Sequence, residues 1–314
     1  MKRLAFFLIG ALMVSQLLAS TRLTTAQDGS DEQLLKLTYT SAVSGSEKYY
    51  YLYLPKGYGQ DTTQTWPVLV WLHGDGERGE TLDDLDYLLK NGPLYEAWIQ
   101  KRDLPFIIVA PQLPLFGRDV NGPDYLVNRT RAEIPERLEE GVPPHNADTP
   151  ARTIVGPMVG AVSAGETPDL GGDIAGTTWD VVDPDVITVL DAVLSEYQVD
   201  TSRVYMTGVS LGGFGTWYYA SQYPDYFAAI LPVVGYGTVE QAEAIATAGI
   251  PVWNFSGGRD PVVLTQYFFP ALDKLEEMGN EMRFTTEQDM FHDVWNRVYA
   301  RDDVYEWLLS HTKN

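Results

Sequence analysis

Short, almost wholly apolar runs alternate along the chain with longer stretches in which apolar residues recur every three or four positions. The short runs are typical of strands buried on both faces, and the longer spacing is typical of amphipathic helices. The runs predict strands at residues 67–72, 104–110, 204–207, 229–234, 252–255 and 282–286. The longer stretches predict helices at residues 185–197, 211–223, 239–248, 265–278 and 298–310. This alternation indicates an α/β fold with a mostly parallel central sheet and helices on both faces.

Two further segments near the start of the chain, residues 34–40 and 47–54, are rich in leucine, tyrosine and threonine. Such segments also predict strands. A serine- and glycine-containing turn at residues 44–46 separates them, so we expect an antiparallel N-terminal pair.

Residues 117–177 interrupt the alternation. The segment holds nine glycines and seven prolines, and Tyr125 is its only aromatic residue. Loops of this length inside a domain are uncommon, and many of them are lids or binding loops. We therefore predict one domain, residues 27–314, with a long insertion at 117–177.

The first residues have the layout of a secretory signal peptide. Lys2 and Arg3 precede an apolar run at residues 4–19, and a polar stretch follows. We predict cleavage after Ala26, so that residues 1–26 are removed and the protein is secreted, to the periplasm or the cell exterior. The alternative is an uncleaved membrane anchor, although a spanning helix needs about 20 apolar residues.

Composition narrows the classes of partner. The formal net charge is −21, and a chain this acidic is a poor ligand for nucleic acid or an anionic membrane. The absence of cysteine from the sequence excludes disulfides, thiolate metal sites and cysteine nucleophiles. We expect no nucleic-acid partner, and no membrane partner once the signal peptide is removed.

A serine lies at a predicted strand-to-helix turn, in the sequence Gly208-Val-Ser-Leu-Gly-Gly213. On such a turn the hydroxyl projects beyond the sheet edge, and glycines avoid collisions with the neighbouring backbone. The N-terminus of the following helix favours negative charge near the serine. An ordinary glycine-rich turn is the alternative, but the strand before it and the helix after it favour Ser210 as a nucleophile.

A serine nucleophile needs a base, and the chain has four histidines. His73 directly follows a predicted strand, His145 lies in the insertion, and His311 ends a predicted helix. In enzymes with the nucleophile on this type of turn, the order along the chain is serine, acid, histidine. The order selects His292 or His311, and the loop position of His292 after the last predicted strand favours His292.

The acid is expected between the serine and the histidine, at the end of a strand. Asp260 closes a glycine turn after the predicted strand 252–255. Its carboxylate would fix the imidazole tautomer and stabilise the imidazolium. A helix N-cap is the alternative role for Asp260, and Asp289 and Asp293 are rival acids.

An oxyanion hole needs backbone N–H donors. One is expected from Leu211, directly after the nucleophile, and the other from Gly74 or Asp75 in the loop after the strand at 67–72. A tight turn without a catalytic role is the alternative for this loop. A carboxylate facing an oxyanion would be repulsive, so we expect the Asp75 side chain to turn away, towards Arg78.

Several stretches resemble secreted esterases of the α/β-hydrolase superfamily. This group includes feruloyl-esterase-like and polyhydroxybutyrate-depolymerase-like enzymes and members labelled predicted peptidases. The stretches are residues 51–58, 72–79, 109–112, 208–217 and 292–295. The resemblance implies the α/β-hydrolase fold and a triad of Ser210, Asp260 and His292. The insertion is the departure from the group, and it lies where it would roof the substrate pocket.

Together these features predict a secreted serine hydrolase that cleaves carboxylic esters. Small-molecule or polysaccharide-linked esters, aromatic or carbohydrate in nature, are the expected substrates. This chemistry requires neither a metal nor an organic cofactor. A serine peptidase of the prolyl-oligopeptidase type is the first alternative, and a non-catalytic secreted binding protein on the same fold is the second.

Overall fold

The computed structural model of the protein describes residues 31–142, 152–155 and 168–313. The predicted signal peptide, residues 1–26, lies outside these ranges, and so does the part of the insertion that contains His145. In the described part of the chain, no helix is both long enough and apolar enough to cross a membrane.

The described residues form one sheet of nine strands. In chain order these are β1 (Gln33–Thr40), β2 (Glu47–Leu54), β3 (Trp66–Leu72), β4 (Ile107–Pro111), β5 (Arg152–Val155), β6 (Val199–Val209), β7 (Ala229–Val233), β8 (Val252–Gly257) and β9 (Met282–Glu287). Their order across the sheet is β1-β2-β4-β3-β6-β7-β8-β9-β5. Strands β3, β4 and β6 to β9 are parallel, whereas β1, β2 and β5 are antiparallel to their neighbours. The predicted mostly parallel sheet with an antiparallel N-terminal pair is confirmed.

The longer helices of the described residues follow the strands in the predicted alternation. They are α1 (Asp183–Glu196), α2 (Leu211–Gln222), α3 (Val239–Ala248), α4 (Phe269–Glu277) and α5 (Asp302–Leu309). Shorter helical segments lie at Gly92–Leu94, Tyr95–Ile99, Arg118–Asn121, Asp124–Val127 and Trp295–Val298, and 3-10 turns include Asp75–Glu77, Asp84–Lys90 and Trp179–Val182.

Apolar cores lie on both faces of the sheet. Alternate side chains of β3 point to opposite faces, so that Val68 and Leu72 belong to one core and Leu69 and Trp71 to the other. Helices α1 to α4 pack on the first face, and α5 packs on the second together with residues 84–99. Because both faces are buried, the sequence of β3 is continuously apolar and shows no alternation.

Several elements differ from the sequence prediction; strand β6, for example, begins at Val199 and not at residue 204. Part of the insertion forms the edge strand β5, which is too short to show a periodicity in the sequence. Helix α4 begins at Phe269, later than predicted, because Pro270 favours the first turn of a helix. The predicted helix 298–310 is divided, because Arg301 has an extended backbone (φ −85°, ψ 141°) in front of α5.

Candidate active site

Ser210 lies between β6 and α2, where the chain turns sharply. Its backbone has φ 52° and ψ −115°, a strained conformation of the kind that clusters at functional sites. The amide of Ser210 donates to the carbonyl of Val233 in β7 (3.0 Å). A Cβ atom on Gly208 would collide with the carbonyl of Gly212, and one on Gly212 with that of Leu72. The turn therefore requires both glycines.

The three side chains predicted to form a triad lie in one continuous series of hydrogen bonds. His292 Nε2 lies 2.9 Å from Ser210 Oγ, and His292 Nδ1 lies 2.7 Å from Asp260 Oδ2. The Asp260 side chain is completely buried, whereas that of His292 is 23% exposed. The second carboxylate oxygen of Asp260 accepts the amides of Val262 (2.8 Å) and Val263 (3.0 Å). Three loops therefore converge where the parallel strands end.

The surroundings of Asp260 favour its ionised form. Burial would raise the pKa of this carboxyl, but the hydrogen bond and charge of His292, together with the amides of Val263 and Val262, outweigh burial. The pKa of Asp260 is consequently lowered from its usual value of 3.8. An ionised carboxylate at this position holds the proton of His292 on Nδ1 and leaves Nε2 to accept from Ser210.

The rival acids and the rival base lie in other environments. Asp289 pairs with Arg297 through both carboxylate oxygens (2.8 Å each), and hydrogen bonding from Arg297 lowers the pKa of Asp289 to about 2. Asp293 is exposed. His311 lies near the amino-terminal ends of the parallel strands, with Nε2 3.1 Å from Glu281, which directly precedes β9. Asp260 is thus the one of these three aspartates that contacts His292.

His73 holds the start of the loop that carries the predicted oxyanion donors. Its Nδ1 lies 2.6 Å from the carbonyl oxygen of Gly74, and its Nε2 accepts the amide of Leu113 (2.9 Å). Burial lowers the pKa of His73 to about 3, so the ring is neutral, with its proton on Nδ1. The ring packs edge to face on Trp179 (5.1 Å, 70°), whose indole N–H donates to the carbonyl of His73 (3.1 Å).

The Asp75 carboxylate contacts Arg78, as expected, and also joins two residues of the insertion. It accepts hydrogen bonds from Nε of Arg78 (2.5 Å), Nη2 of Arg118 (2.8 Å) and the hydroxyl of Tyr125 (2.7 Å). Burial would raise the pKa of Asp75, but the hydrogen bonds and charges of Arg118 and Arg78 lower it overall. Arg78 also donates to the carbonyl of Thr177 (2.6 Å), so both ends of the insertion are attached to this loop.

A connection between this loop and the histidine was not predicted from the sequence. The buried carboxylate of Glu77 accepts Nδ2 of Asn91 (2.6 Å), and Oδ1 of Asn91 accepts the indole N–H of Trp295 (3.0 Å). The Trp295 ring packs edge to face on His292 (5.4 Å, 89°). Burial raises the pKa of Glu77 above its usual 4.5. The only sequence signal was the position of Trp295, three residues after the histidine.

The fold and this serine turn define the class of protein: the chain has the α/β-hydrolase fold. The model of the prolyl oligopeptidase family matches residues 173–254. Among curated proteins, a bifunctional acetylxylan esterase/xylanase of Neocallimastix patriciarum is 30% identical over 135 residues, which are 42% of this chain and 19% of that protein. Acetylxylan esterase A of Emericella nidulans is 34% identical over 93 residues, 26% of each protein.

A solved structure gives the same class over a larger part of the chain. The crystal structure of a thermostable esterase matches with a TM-score of 0.58 at 25% identity, over 89% of this chain and 63% of that one. The chain thus spans about a fifth of the first curated relative and less than two thirds of this esterase. These similarities are to proteins named as esterases.

Proposed function

We propose that this protein is a serine hydrolase that cleaves carboxylic esters through Ser210, His292 and Asp260. The observation that carries the proposal is the series of hydrogen bonds from the serine hydroxyl, through both imidazole nitrogens, to a buried carboxylate (2.9 and 2.7 Å). A serine with this neighbour can lose its proton as it attacks, whereas an isolated serine hydroxyl is a weak nucleophile. The similarity to esterases supports an ester as the substrate.

In the proposed reaction, Ser210 Oγ attacks the ester carbonyl carbon while His292 Nε2 takes the hydroxyl proton. The tetrahedral adduct then expels the alcohol, which receives that proton from the imidazolium, and the acyl group remains on Ser210. Water attacks the acyl-enzyme with His292 again as the base, and the carboxylic acid leaves. Asp260 stays ionised and stabilises the imidazolium in both halves.

The proposed oxyanion hole consists of the amides of Leu211 and Asp75. Leu211 is the first residue of α2, so its N–H lies at the positive end of the helix dipole. The amide of Gly74 interacts with the carboxylate of Glu77, which favours Asp75 as the second donor. The charge of the Asp75 side chain is offset by its pairs with Arg78 and Arg118.

The proposal is tested with 4-nitrophenyl acetate and a fluorophosphonate probe. We expect the probe to label Ser210, and we expect Ser210→Ala to lower kcat on the order of 10⁶-fold. The Ser210→Ala protein must retain its circular dichroism spectrum and thermal midpoint for this comparison. A folded protein that neither reacts with the probe nor hydrolyses the ester would instead be a binding protein on a hydrolase fold.

We propose aromatic or carbohydrate-linked esters as the natural substrates. Two curated relatives named as acetylxylan esterases support the carbohydrate-linked class, and the resemblance to feruloyl-esterase-like sequences supports the aromatic class. A panel of esters that varies acyl size and alcohol size separately would rank the substrates by kcat/KM. Activity confined to short-chain alkyl esters would contradict this choice.

A serine peptidase is the second candidate function, because the prolyl oligopeptidase family model matches residues 173–254, which include Ser210. Peptidases of this type use the same three side chains, so the site does not separate the two reactions. Aminoacyl 4-nitroanilides compared with 4-nitrophenyl esters of matched acyl groups do separate them. A higher kcat/KM on the anilides would favour the peptidase.

We also propose that the protein is secreted after removal of residues 1–26. The basic residues Lys2 and Arg3 and the apolar run at 4–19 support this localisation. The protein recovered outside the cytoplasm is then expected to have the mass of residues 27–314. A full-length, membrane-associated product would favour an uncleaved anchor.

A further inference from the structure

A cavity of about 340 Å³ lies beside the first two turns of α2. Two further segments form its other walls. One is residues 168–180, which include the end of the insertion, and the other is residues 236–241, around the start of α3. Leu211, the residue that follows Ser210, lines the cavity. The cavity therefore reaches the residue that follows the proposed nucleophile, and its volume lies in the range of small-molecule sites.

The walls of the cavity carry aromatic rings whose positions are fixed. Phe214 and Tyr218 are four residues apart on α2, so they share one face of the helix, and both are half-buried. Tyr236 packs edge to face on Phe214 (4.7 Å, 89°). The hydroxyl of Tyr218 donates to Asp183 (2.9 Å), and that of Tyr236 donates to the carbonyl of Pro168 (3.1 Å). The phenol groups are therefore tied back, and the ring surfaces line the cavity.

The cavity carries two carboxylates, which accept hydrogen bonds. None of its described lining residues is a lysine or an arginine. Asp169 and Asp180 are exposed carboxylates on its rim. The side-chain oxygen of Gln241 accepts the amide of Thr238 at the start of α3 (3.0 Å). Two carboxylates without a cationic lining residue disfavour an anionic ligand and favour one that donates hydrogen bonds.

We infer that this cavity binds a neutral sugar ring of the ester that Ser210 attacks. The inference rests on the proposed function and makes it more specific. A pyranose presents a C–H face that packs on an aromatic ring and hydroxyl groups that donate to carboxylates. A uronic acid or a phosphorylated sugar would be repelled by Asp169 and Asp180. An aromatic acyl group would also pack on the rings, but it offers fewer hydroxyl donors to the two carboxylates than a pyranose does.

The first experiment fills the cavity by substitution. Ala175 lines the cavity, is exposed, and has an ordinary extended backbone (φ −55°, ψ 130°), so Ala175→Trp introduces a large ring without backbone strain. We expect Ala175→Trp to lower kcat/KM on acetylated xylotriose about tenfold, the loss expected from roughly one or two hydrogen bonds. The same variant is expected to keep kcat/KM on 4-nitrophenyl acetate, which has no sugar, within about twofold.

The matched control is Ala248→Trp. Ala248 is also an exposed alanine, but it lies at the end of α3, beside residues that precede β7 and β8. This substitution adds the same ring near the amino-terminal ends of the parallel strands, and both substrates are expected to be hydrolysed as by the unmodified protein. If Ala175→Trp impairs both substrates equally, or impairs methyl ferulate but not acetylated xylotriose, the sugar assignment is wrong.

The second experiment tests the charge of the site. The unmodified protein is expected to prefer acetylated xylotriose over an acetylated oligosaccharide that carries glucuronic acid. Asp169→Asn combined with Asp180→Asn is expected to reduce that preference severalfold, because the repulsion is removed while the hydrogen-bonding positions remain. The control is Asp225→Asn. Asp225 is an exposed aspartate near the amino-terminal ends of the parallel strands. An unchanged preference in the double variant would overturn the inference.

These measurements separate the two possible failures. If the unmodified protein does not hydrolyse 4-nitrophenyl acetate and its serine is not labelled, the proposed function is wrong. If 4-nitrophenyl acetate is hydrolysed and the cavity variants show no selective effect on the sugar ester, only the inference about the cavity is wrong.

Discussion

At the scale of single residues, the two oxygens of the Asp260 carboxylate have different partners. One oxygen accepts the amides of Val262 and Val263, and the other lies 2.7 Å from His292. The alternative role of Asp260 as a helix N-cap is wrong, because the next helical segment begins only at Thr265. The two amides instead close a local turn that holds the carboxylate, and the held carboxylate orients the imidazole.

The contribution of Asp260 is tested by Asp260→Asn. The amide keeps the size of the side chain but presents no negative charge to Nδ1 of His292, so the imidazole loses its required tautomer. We expect kcat on 4-nitrophenyl acetate to fall about 10⁴-fold, as in the corresponding substitution of a serine protease. Asp289→Asn, a change in the rival acid, is the control and is expected to change kcat by less than about twofold. A large loss in the control with a small loss in Asp260→Asn would assign the acid to Asp289.

Trp295 is expected to act as a positioning residue for His292. Trp295→Phe keeps an aromatic ring beside the imidazole but removes the N–H that donates to Asn91. Because one hydrogen bond contributes about 1 kcal/mol, we expect kcat to fall roughly fivefold with KM nearly unchanged. Asn91→Ala is expected to lower kcat less in Trp295→Phe than in the unmodified protein, because the contact with Trp295 is already absent there, whereas the contact of Asn91 with Glu77 is lost in both. Losses that simply add would show that the contact does not position His292.

At the scale of structural elements, the loop after β3 is held from several directions. His73 and Trp179 fix its start, and the Asp75 carboxylate joins it to Arg78 and Arg118. Breaking a buried ion pair by removing one partner costs several kcal/mol. The loop is consequently a rigid support for the proposed oxyanion donor.

The buried, neutral His73 predicts a pH dependence of stability. The pKa of His73 is about 3 in the folded protein and about 6.5 in an unfolded chain. Only the unfolded state therefore takes up a proton as the pH falls below 6.5. The contribution of neutral His73 to the free energy of unfolding is therefore present above pH 6.5. It is lost on acidification towards the folded pKa, at up to about 1.4 kcal/mol per pH unit. Urea unfolding between about pH 6.5 and pH 4.5 measures this loss.

Three carboxyl groups affect the free energy of unfolding over other pH ranges. The pKa values of Asp75 and Asp260 are lowered, so their contributions are lost only below about pH 4. The raised pKa of Glu77 acts in the opposite direction, because its contribution is present at low pH and is lost as the pH rises. Imidazole ¹⁵N shifts isolate His73 from these groups. Protonation of His73 in the folded protein near its unfolded pKa would contradict the prediction.

At the scale of the whole molecule, the net charge of −21 creates a negative field around the protein. Such a field lowers the local concentration of anionic substrates, and salt screens it. We expect kcat/KM for an anionic ester, such as 4-nitrophenyl hemisuccinate, to rise severalfold between about 10 mM and 200 mM sodium chloride. The neutral 4-nitrophenyl acetate is the control. Equal responses of the two esters would exclude a steering effect of the field.

Much of the fold and the candidate site could be predicted from the sequence because the signals are local. The strand, the glycines and the helix around Ser210 are adjacent in the chain, and chain order then restricts the histidine and the acid to a few residues. The contacts of Arg118 and Tyr125 with Asp75, and of Trp295 with Asn91, were not predicted. Each joins residues separated by 43 to 204 positions, and no local pattern encodes such pairs.

The sequence by itself determined the α/β architecture and the identity of the serine on its turn, because hydrophobic periodicity and backbone sterics act within a few residues. Only the tertiary structure decided which acid meets His292, how the insertion attaches to the loop after β3, and where a cavity opens beside α2. These features depend on how distant strands and loops are packed against each other. That packing is a property of the whole folded chain and not of any one segment.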